Sequence, residues 1–274
     1  MSKAKLLATG KRLVRRIRVP INDDRFRRAL RDAVGDGREF LYVHSGLSSM
    51  GHFVSGPAAI ATVLREFCDT LFQPTHTYCY PPSVDELAPI FDAGSTLSQM
   101  GLFAEVFRQQ PGVVRSIHST HSIAGEGVMA EQICAKHYEC DTPCGPGTPY
   151  SQLVHRSGSA LMLGVSFRYY TPFHTAEAES GSEFAFEPDE LVRLRFNDET
   201  GQLQERLSRR QNRIVPRFHE AGDLLEQQGF VRRVPLGRSH LLFVSDMSKV
   251  HEFLVGRLHK IPDFLRSTCK APLN

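Results

Sequence analysis

Residues 39–67 read "EFLYVHSGLSSMGHFVSGPAAIATVLREF" and contain three distinct local patterns in succession. The apolar start of this stretch, followed by small Ser and Gly residues, predicts a short buried strand that ends in a turn. Pro57 then suits the first turn of a helix, and apolar residues recur beyond it at near-helical spacing. A strand, a turn and a helix in this order indicate a layered α/β domain.

Helices and strands alternate along the rest of the chain. "TLFQPTHTYCY" from Thr70 is the only stretch available for the next strand, and "STLSQMGLFAEVFRQQPG" from Ser95 predicts a helix that begins with a Ser/Thr cap. "SALMLGVSF" from Ser159 is the clearest buried strand, and residues 218–258 read helix, strand, strand, helix. Residues 181–215 are charged and read as irregular. We expect one α/β domain over residues 21–274, with a mixed central sheet flanked by helices.

The composition excludes several classes of protein. The 274 residues are 41% hydrophobic and 23% charged, as in an ordinary globular protein, and no window approaches the roughly 18 apolar residues that span a bilayer. The six cysteines include no C-x-x-C pair, which favours reduced thiols in a cytoplasmic protein over a zinc site. We expect no nucleic-acid partner.

Residues 1–20 form a separate basic segment, with seven Lys or Arg and no acidic residue. At 100° per residue, its apolar and basic side chains fall on opposite sides of a helix. Such a helix can lie on the anionic inner face of a membrane, pack on its own domain or be disordered at the terminus. The sequence leaves these alternatives open.

The stretch "TPFHTAEAES", Thr171–Ser180, places a histidine and a glutamate three residues apart directly after the strand at Ser159. On a helix, positions i and i+3 share a face, so His174 and Glu177 can touch. A carboxylate beside an imidazole fixes its tautomer and stabilises its charged form, which is how a general base is built. A solvated surface pair at a helix start would give the same pattern.

Other motifs are less specific. "HSGLSSMGHFVSGP" is a small-residue turn before a helix, where N–H groups can hold an anion, but it matches neither nucleotide-binding glycine motif. "CGPGTP" is a rigid loop that could line a ligand channel. His118 and His121 stand three apart without a third metal ligand nearby, so a metal site is not indicated. The absence of a G-x-S-x-G motif gives covalent catalysis little support.

Together these pieces resemble the aminoglycoside 3-N-acetyltransferase family, also called the antibiotic N-acetyltransferase family. The resemblance runs from about Tyr42 to Gly181. It rests on "LYVHSGLSSMG", "PTHTYCY", "FD" at Phe91 and Asp92, "MGLFAEVFRQQPGVVRS", "HSTHSIAGEG", "CGPGTPYSQL" and "LMLGVSFRYYTPFHTAEAESG". The combination is specific, although no single piece is.

The resemblance implies transfer of an acetyl group from acetyl-coenzyme A to an amine without a metal, on an α/β fold distinct from the GNAT-type acetyltransferase fold. It assigns the general base to His174 and Glu177, and contact with the acceptor to Asp92 and Glu105. The residues expected to bind the coenzyme are Ser45, Gly46, Leu47, Ser48, Ser49, Thr120, His121, Ser122, Gly145, Gly147 and Thr148.

Two departures from the family pattern bear on the acceptor. "FDAG" lacks the proline that usually follows the Asp, and "RRQNRIVPRFHEAGDLL" from Arg209 is Arg-rich where antibiotic-modifying members present aspartates. Because arginines would repel a polycationic drug, we expect a biosynthetic amino sugar, such as a nucleotide-linked one used in polysaccharide synthesis, as the acceptor. The alternatives are an aminoglycoside-modifying resistance enzyme and a catalytically inactive relative that only binds a ligand or partner.

Overall fold

The computed structural model describes residues 19–81 and 86–267. Nearly all of the basic segment predicted at residues 1–20 lies outside this part of the chain. The strands are β1 (Pro20–Ile21), β2 (Arg38–Ser45), β3 (His52–Phe53), β4 (Cys68–Pro74), β5 (Ile90–Phe91), β6 (Val114–Arg115), β7 (Ile123–Gly127), β8 (Ser159–Leu163), β9 (Phe186–Asn197), β10 (Leu203–Gln211), β11 (Val231–Leu236) and β12 (Ser239–Val244). The α-helices are α1 (Asp23–Val34), α2 (Leu47–Met50), α3 (Gly56–Arg65), α4 (Leu102–Phe107), α5 (Ala130–Cys134), α6 (Pro149–His155), α7 (Pro172–Glu179), α8 (Phe218–Gln227) and α9 (Met247–Leu258).

A seven-stranded mixed sheet forms the centre of the molecule, in the order β11-β12-β8-β2-β4-β7-β6. The three inner strands β8, β2 and β4 are parallel, and the outer strands pair antiparallel. Helix α3 provides the crossover from β2 to β4, as a parallel pair requires. Two small sheets, β1-β3 and β10-β9-β5, lie apart from the seven strands. The predicted mixed sheet flanked by helices is confirmed.

Strand β2 is buried on both faces, and its alternate residues enter two different cores. Leu41 and Val43 join the apolar cluster that contains residues of α1 and α3. Phe40 and Tyr42 join the cluster on the other face, which contains residues of α6, α7, α8 and α9. This explains why the strand reads as a continuous apolar run rather than an alternating one.

The structure corrects three sequence-based expectations. Residues 181–215 are not irregular, because most of them form the antiparallel hairpin of β9 and β10. The helix expected from Ser95 begins only at Leu102, after Gly101 with φ of 93°. The strand expected from Thr70 begins two residues earlier, at Cys68, and pairs with β2 and β7.

No helix in the described ranges is long and apolar enough to span a bilayer. The five cysteines within those ranges are not joined in disulfides.

Candidate active site

The segments with the predicted functional residues meet at one edge of the central sheet. The parallel strands β2, β4 and β8 end there at Ser45, Pro74 and Leu163. Strand β7 runs the other way, so its first residue, Ile123, lies beside Pro74 and brings the preceding histidine segment to the same edge. Ligands of α/β proteins bind at the carboxyl ends of parallel strands, so this edge is where a site is expected.

A cavity of about 280 Å³ opens at this edge. Its wall comes from the segment after β4, the segment before β7, the turn between β8 and α7, and the end of β10. Among the residues that line the cavity are His76, Tyr78, His121, Arg168, Thr171, His174, Arg210, Gln211 and Arg213.

The predicted pair lies on α7, and its histidine faces the cavity. Nδ1 of His174 is 2.9 Å from Oε2 of Glu177, one helical turn further along. The His174 side chain is about one-fifth exposed, whereas Glu177 is buried. The ring of Phe218 packs edge-on against His174, with 4.8 Å between the ring centroids. The pair is therefore part of the cavity wall and not a solvated surface pair.

A buried arginine completes this arrangement, and sequence reasoning missed it. Nε of Arg266 lies 2.5 Å from Oε1 of Glu177, and Nη2 lies 2.6 Å from Oε2. The remaining Nη1 donates to the carbonyl oxygens of Asn212 and Ile214 at 3.1 Å. Arg266 and Glu177 are each 1% exposed, so the ion pair is removed from water. No local pattern marks an arginine 89 positions from its partner as functional.

These contacts determine which nitrogen of His174 can accept a proton. A carboxylate that receives two guanidinium N–H groups is ionised and can only accept hydrogen bonds. Nδ1 of His174 must therefore carry the hydrogen that it shares with Glu177. In the neutral imidazole Nε2 is then the unprotonated nitrogen, and it is the one left for a substrate.

Neutral histidines surround the base. Burial lowers the pKa of His76 and of His121 well below the usual range, and neighbouring histidines lower both further. Nε2 of His76 donates to the hydroxyl of Tyr150, which itself donates to the carbonyl of His121. The rings of His76 and His121 lie 4.6 Å apart. Both rings are thus neutral, and His76 directs its single N–H to Tyr150.

The predicted coenzyme turn, Ser45–Ser49, packs against the residues at the end of β8 and is not part of the cavity wall. The Gly46 N–H donates to the carbonyl of Leu163, and the Ser49 hydroxyl bonds the carbonyl of Gly164. A Cβ at position 46 would overlap a Val165 methyl, so only glycine permits this approach. Ser45, Gly46 and Leu47 are half-buried, whereas Ser48 and Ser49 are exposed. Contact with a coenzyme remains a prediction.

Comparison with known proteins decides the family. The model of the aminoglycoside 3-N-acetyltransferase family matches residues 42–258, well over half of the chain. The chain belongs to the aminoglycoside 3-N-acetyltransferase family. It is 30% identical over 190 residues to aminoglycoside N(3)-acetyltransferase VIII of Streptomyces fradiae, a match that covers 62% of this chain and 65% of that protein. The chain thus spans slightly less than two thirds of that relative's length.

Solved structures of the aminoglycoside 3-N-acetyltransferase family share the fold. AAC-IIIb in binary complex with CoASH superposes with a TM-score of 0.76 at 22% identity, over 88% of this chain and 97% of that one. A variant of AAC(3)-IVa in complex with a gentamicin gives a TM-score of 0.76 at 20% identity, over 94% and 98% of the two chains. The fold is thus that of these acetyltransferases, as the sequence resemblance implied.

The other segments that the family resemblance assigned to the coenzyme have structural partners of their own. Of Thr120, His121 and Ser122, only His121 lines the cavity. The Ser122 hydroxyl donates to the Thr75 carbonyl, and the Thr120 hydroxyl lies 2.8 Å from Nδ1 of His121. Thr120 thus holds the His121 ring in place, and the role of Ser122 at a coenzyme stays a prediction.

The loop with Gly145, Gly147 and Thr148 caps one helix and packs on another. The Thr148 side chain caps α6, and its hydroxyl donates to the Gly145 carbonyl at 2.7 Å. A Cβ at Gly145 would lie 3.2 Å from that of Ala178, so the glycine lets the loop lie close to α7. None of the three lines the cavity of His174, and their contact with a coenzyme stays a prediction.

Asp92 and Glu105, expected at the acceptor amine, are both occupied by protein donors and do not line the cavity. Asp92 accepts from the backbone and hydroxyl of Ser95, among other groups, and these hydrogen bonds lower its pKa. Both oxygens of Glu105 bind Arg108, at 2.6 and 2.8 Å, which lowers the pKa of Glu105. Their assignment to the acceptor stays a prediction that these contacts do not favour.

Two members of the Arg-rich segment reach the cavity, Arg210 and Arg213. Both bind the same oxygen of Glu190, at 3.0 and 2.6 Å, and Arg213 also lies near Glu187. The other two arginines of the segment have partners elsewhere: Arg209 lies over the Phe186 ring, and Arg217 pairs with Glu220. Arg206, just before the segment, pairs with Asp141. The segment therefore places much less net positive charge at the cavity than its sequence suggests.

Proposed function

We propose that this protein is an acetyl-coenzyme A-dependent N-acetyltransferase that acts on an amine of an aminoglycoside-type amino sugar. The observation that carries the proposal is His174 at the cavity wall, held through Nδ1 by the buried Glu177. Membership of the aminoglycoside 3-N-acetyltransferase family supports the reaction and the acetyl donor. It also favours an aminoglycoside over the biosynthetic amino sugar expected from the Arg-rich segment.

The proposed reaction moves an acetyl group from sulfur to nitrogen within a ternary complex. The free amine attacks the thioester carbonyl, a C–N bond forms, and Nε2 of His174 takes the proton that the nitrogen loses. The C–S bond then breaks, and the departing thiolate of coenzyme A takes that proton from Nε2 of the His174 imidazolium, which returns His174 to its neutral form. Holding both substrates in one cavity also raises the rate of acetyl transfer through proximity, in addition to the gain from proton transfer.

Glu177 and Arg266 act in this scheme through His174. Glu177 keeps the Nδ1–H tautomer and stabilises the imidazolium that forms during attack. Arg266 neutralises part of the carboxylate charge and fixes both of its oxygens. Arg266 is thus a positioning residue, since it reaches the reaction only through Glu177.

A second acceptor class is favoured by one specific observation. Arg168 lines the cavity on the turn after β8, outside the segment whose arginines share Glu190. An arginine there can pair with a phosphate in a bidentate way. An amino sugar with an anionic substituent, including a nucleotide-linked one, is therefore the second candidate.

Acceptor-dependent release of coenzyme A, with mass analysis of the product, tests the proposal. Gentamicin should yield a singly acetylated product, and Arg168→Gln should leave its KM unchanged or lower it because a repulsive charge is removed. Turnover of a nucleotide-linked amino sugar alone, with a KM that rises in Arg168→Gln, would establish the second candidate instead. Coenzyme binding without turnover of either acceptor would indicate an inactive relative.

A further inference from the structure

A second cluster of functional side chains lies outside the cavity, where three helices meet. It consists of His155 at the end of α6, Glu179 at the end of α7 and His251 in the middle of α9. Nε2 of His155 and Nε2 of His251 lie 2.8 and 3.0 Å from the same carboxylate oxygen, Oε2 of Glu179. The three potential ligand atoms all lie within 4.8 Å of one another.

We propose that His155, Glu179 and His251 form a structural binding site for Zn²⁺. Two imidazole nitrogens and one carboxylate oxygen are a set of ligands that zinc accepts, with bonds of about 2.0–2.2 Å. Ligand atoms of a tetrahedral site with such bonds are about 3.3 Å apart, so the two short separations need to open by only a few tenths of an ångström.

The surroundings of the cluster suit a cation. The hydroxyl of Ser151 donates to the other oxygen of Glu179 at 2.6 Å, which orients the carboxylate and leaves Oε2 to the two nitrogens. Among the described residues, the ion-pair partners of Glu179 are these two histidines. Because imidazoles are cations only when protonated, a divalent ion would compensate the carboxylate when both are neutral.

The cluster can be reached from solvent on one side. The side chain of His155 is 57% exposed, whereas those of Glu179 and His251 are 12% and 10% exposed. A zinc ion can thus enter from the side of His155, and water can complete its coordination. The three positions are far apart in sequence, which is why no metal motif was visible in the chain.

The site is distinct from the proposed reaction. Glu179 lies five residues after His174 on α7, about 140° round the helix, and therefore points away from the cavity wall. A bound ion would join α6, α7 and α9 and hold the helix that carries His174 and Glu177. No step of acetyl transfer passes through it, so the expectation of metal-free chemistry is unaffected.

Equilibrium dialysis of the metal-free protein against Zn²⁺, with metal quantified per chain, tests the site. We expect one Zn²⁺ per chain and a higher thermal midpoint in its presence. His155→Ala, at an exposed position, should weaken binding at least about 10-fold and abolish the shift. His52→Ala, which removes an exposed histidine in β3, should bind like the wild type.

The visible absorption of Co²⁺, used in place of Zn²⁺, provides a second measurement. An intense visible absorption typical of tetrahedral cobalt should appear in the wild type and in His52→Ala, and should be lost in His155→Ala. Binding of much less than one Zn²⁺ per chain, or equal affinity in wild type and His155→Ala, would overturn the proposal. Either result would leave the cluster as a set of hydrogen bonds between helices.

Discussion

Arg266 and Glu177 form a two-point ion pair directly behind His174, with separations of 2.5 and 2.6 Å and with both side chains removed from water. The pair joins the last described segment of the chain to α7. Because the same Glu177 oxygen also receives Nδ1–H of His174, the position of Arg266 is transmitted to the base. The proposed catalytic group is thus supported from a part of the chain that no local motif connects with it.

Loss of Arg266 should destabilise the protein strongly. Arg266→Gln leaves the Glu177 carboxylate buried without its cation, and breaking a buried pair in this way costs about 3–5 kcal/mol. Urea unfolding measures the change. Arg233→Gln is the control, because Arg233 pairs with Glu226 at a partly exposed site, where about 0–1 kcal/mol is expected. Equal losses for the two variants would contradict a buried, supporting ion pair.

Part of this arrangement could be predicted from the sequence. His174 and Glu177 are three positions apart on one helix, so their contact follows from helical geometry. The contact of Glu177 with Arg266 depends on how the C-terminal segment packs, which no spacing reveals. The hairpin of β9 and β10 did leave a signal, since Val192, Leu194 and Phe196 alternate with arginines and are buried.

The prediction of a helix start near Ser95 was wrong for a different reason. The Ser and Thr residues that suggested a cap bind Asp92 instead: the Ser95 hydroxyl donates to its carboxylate, and the Thr96 hydroxyl accepts from its N–H. Side chains of this type form turns as readily as helix caps, so the sequence alone does not decide between the two.

The free energy of unfolding should fall on acidification because buried histidines are held neutral. Burial lowers the pKa of His44 to about 3 and that of His137 to about 4, against 6.5 for an ordinary histidine. The unfolded chain binds more protons below pH 6.5, so this stability is complete above that pH and is lost towards pH 4. Between pH 6.5 and 5 the loss is on the order of 2 kcal/mol per such histidine.

The variant His137→Gln isolates one of these groups. Nε2 of His137 donates to the Pro143 carbonyl and Nδ1 accepts from Ser116, and a glutamine amide offers the same donor and acceptor. Chemical unfolding at several pH values should show that the free energy of unfolding depends less steeply on pH in this variant. His52→Gln should keep the wild-type slope. An unchanged slope in His137→Gln would show that His137 does not contribute to the pH dependence of stability.

The glycine beside α7 should matter for both stability and turnover. In Gly145→Ala the new methyl group would overlap the Thr142 hydroxyl and lie 3.2 Å from the Cβ of Ala178. Overpacking of this kind costs about 1–3 kcal/mol, and a shift of α7 by about 1 Å could lower turnover about 100-fold. Thermal unfolding and steady-state kinetics measure the two effects.

Gly256→Ala is the matched control for that substitution. Gly256 lies on α9 with nothing near its absent side chain, and an alanine there should stabilise the helix by up to about 1 kcal/mol. Its turnover should equal that of the wild type. Wild-type turnover in Gly145→Ala would mean that the loop does not help to position α7.

The rate of gentamicin-dependent coenzyme A release by His174→Ala, measured beside coenzyme binding, shows whether His174 is the general base. If Nε2 of His174 accepts the proton, kcat should fall at least about 100-fold while coenzyme A still binds. His219→Ala, which removes an exposed histidine of α8 next to Phe218, should retain wild-type kcat. Glu177→Gln should fall between the two. Near-normal turnover by His174→Ala would show that His174 does not accept the proton.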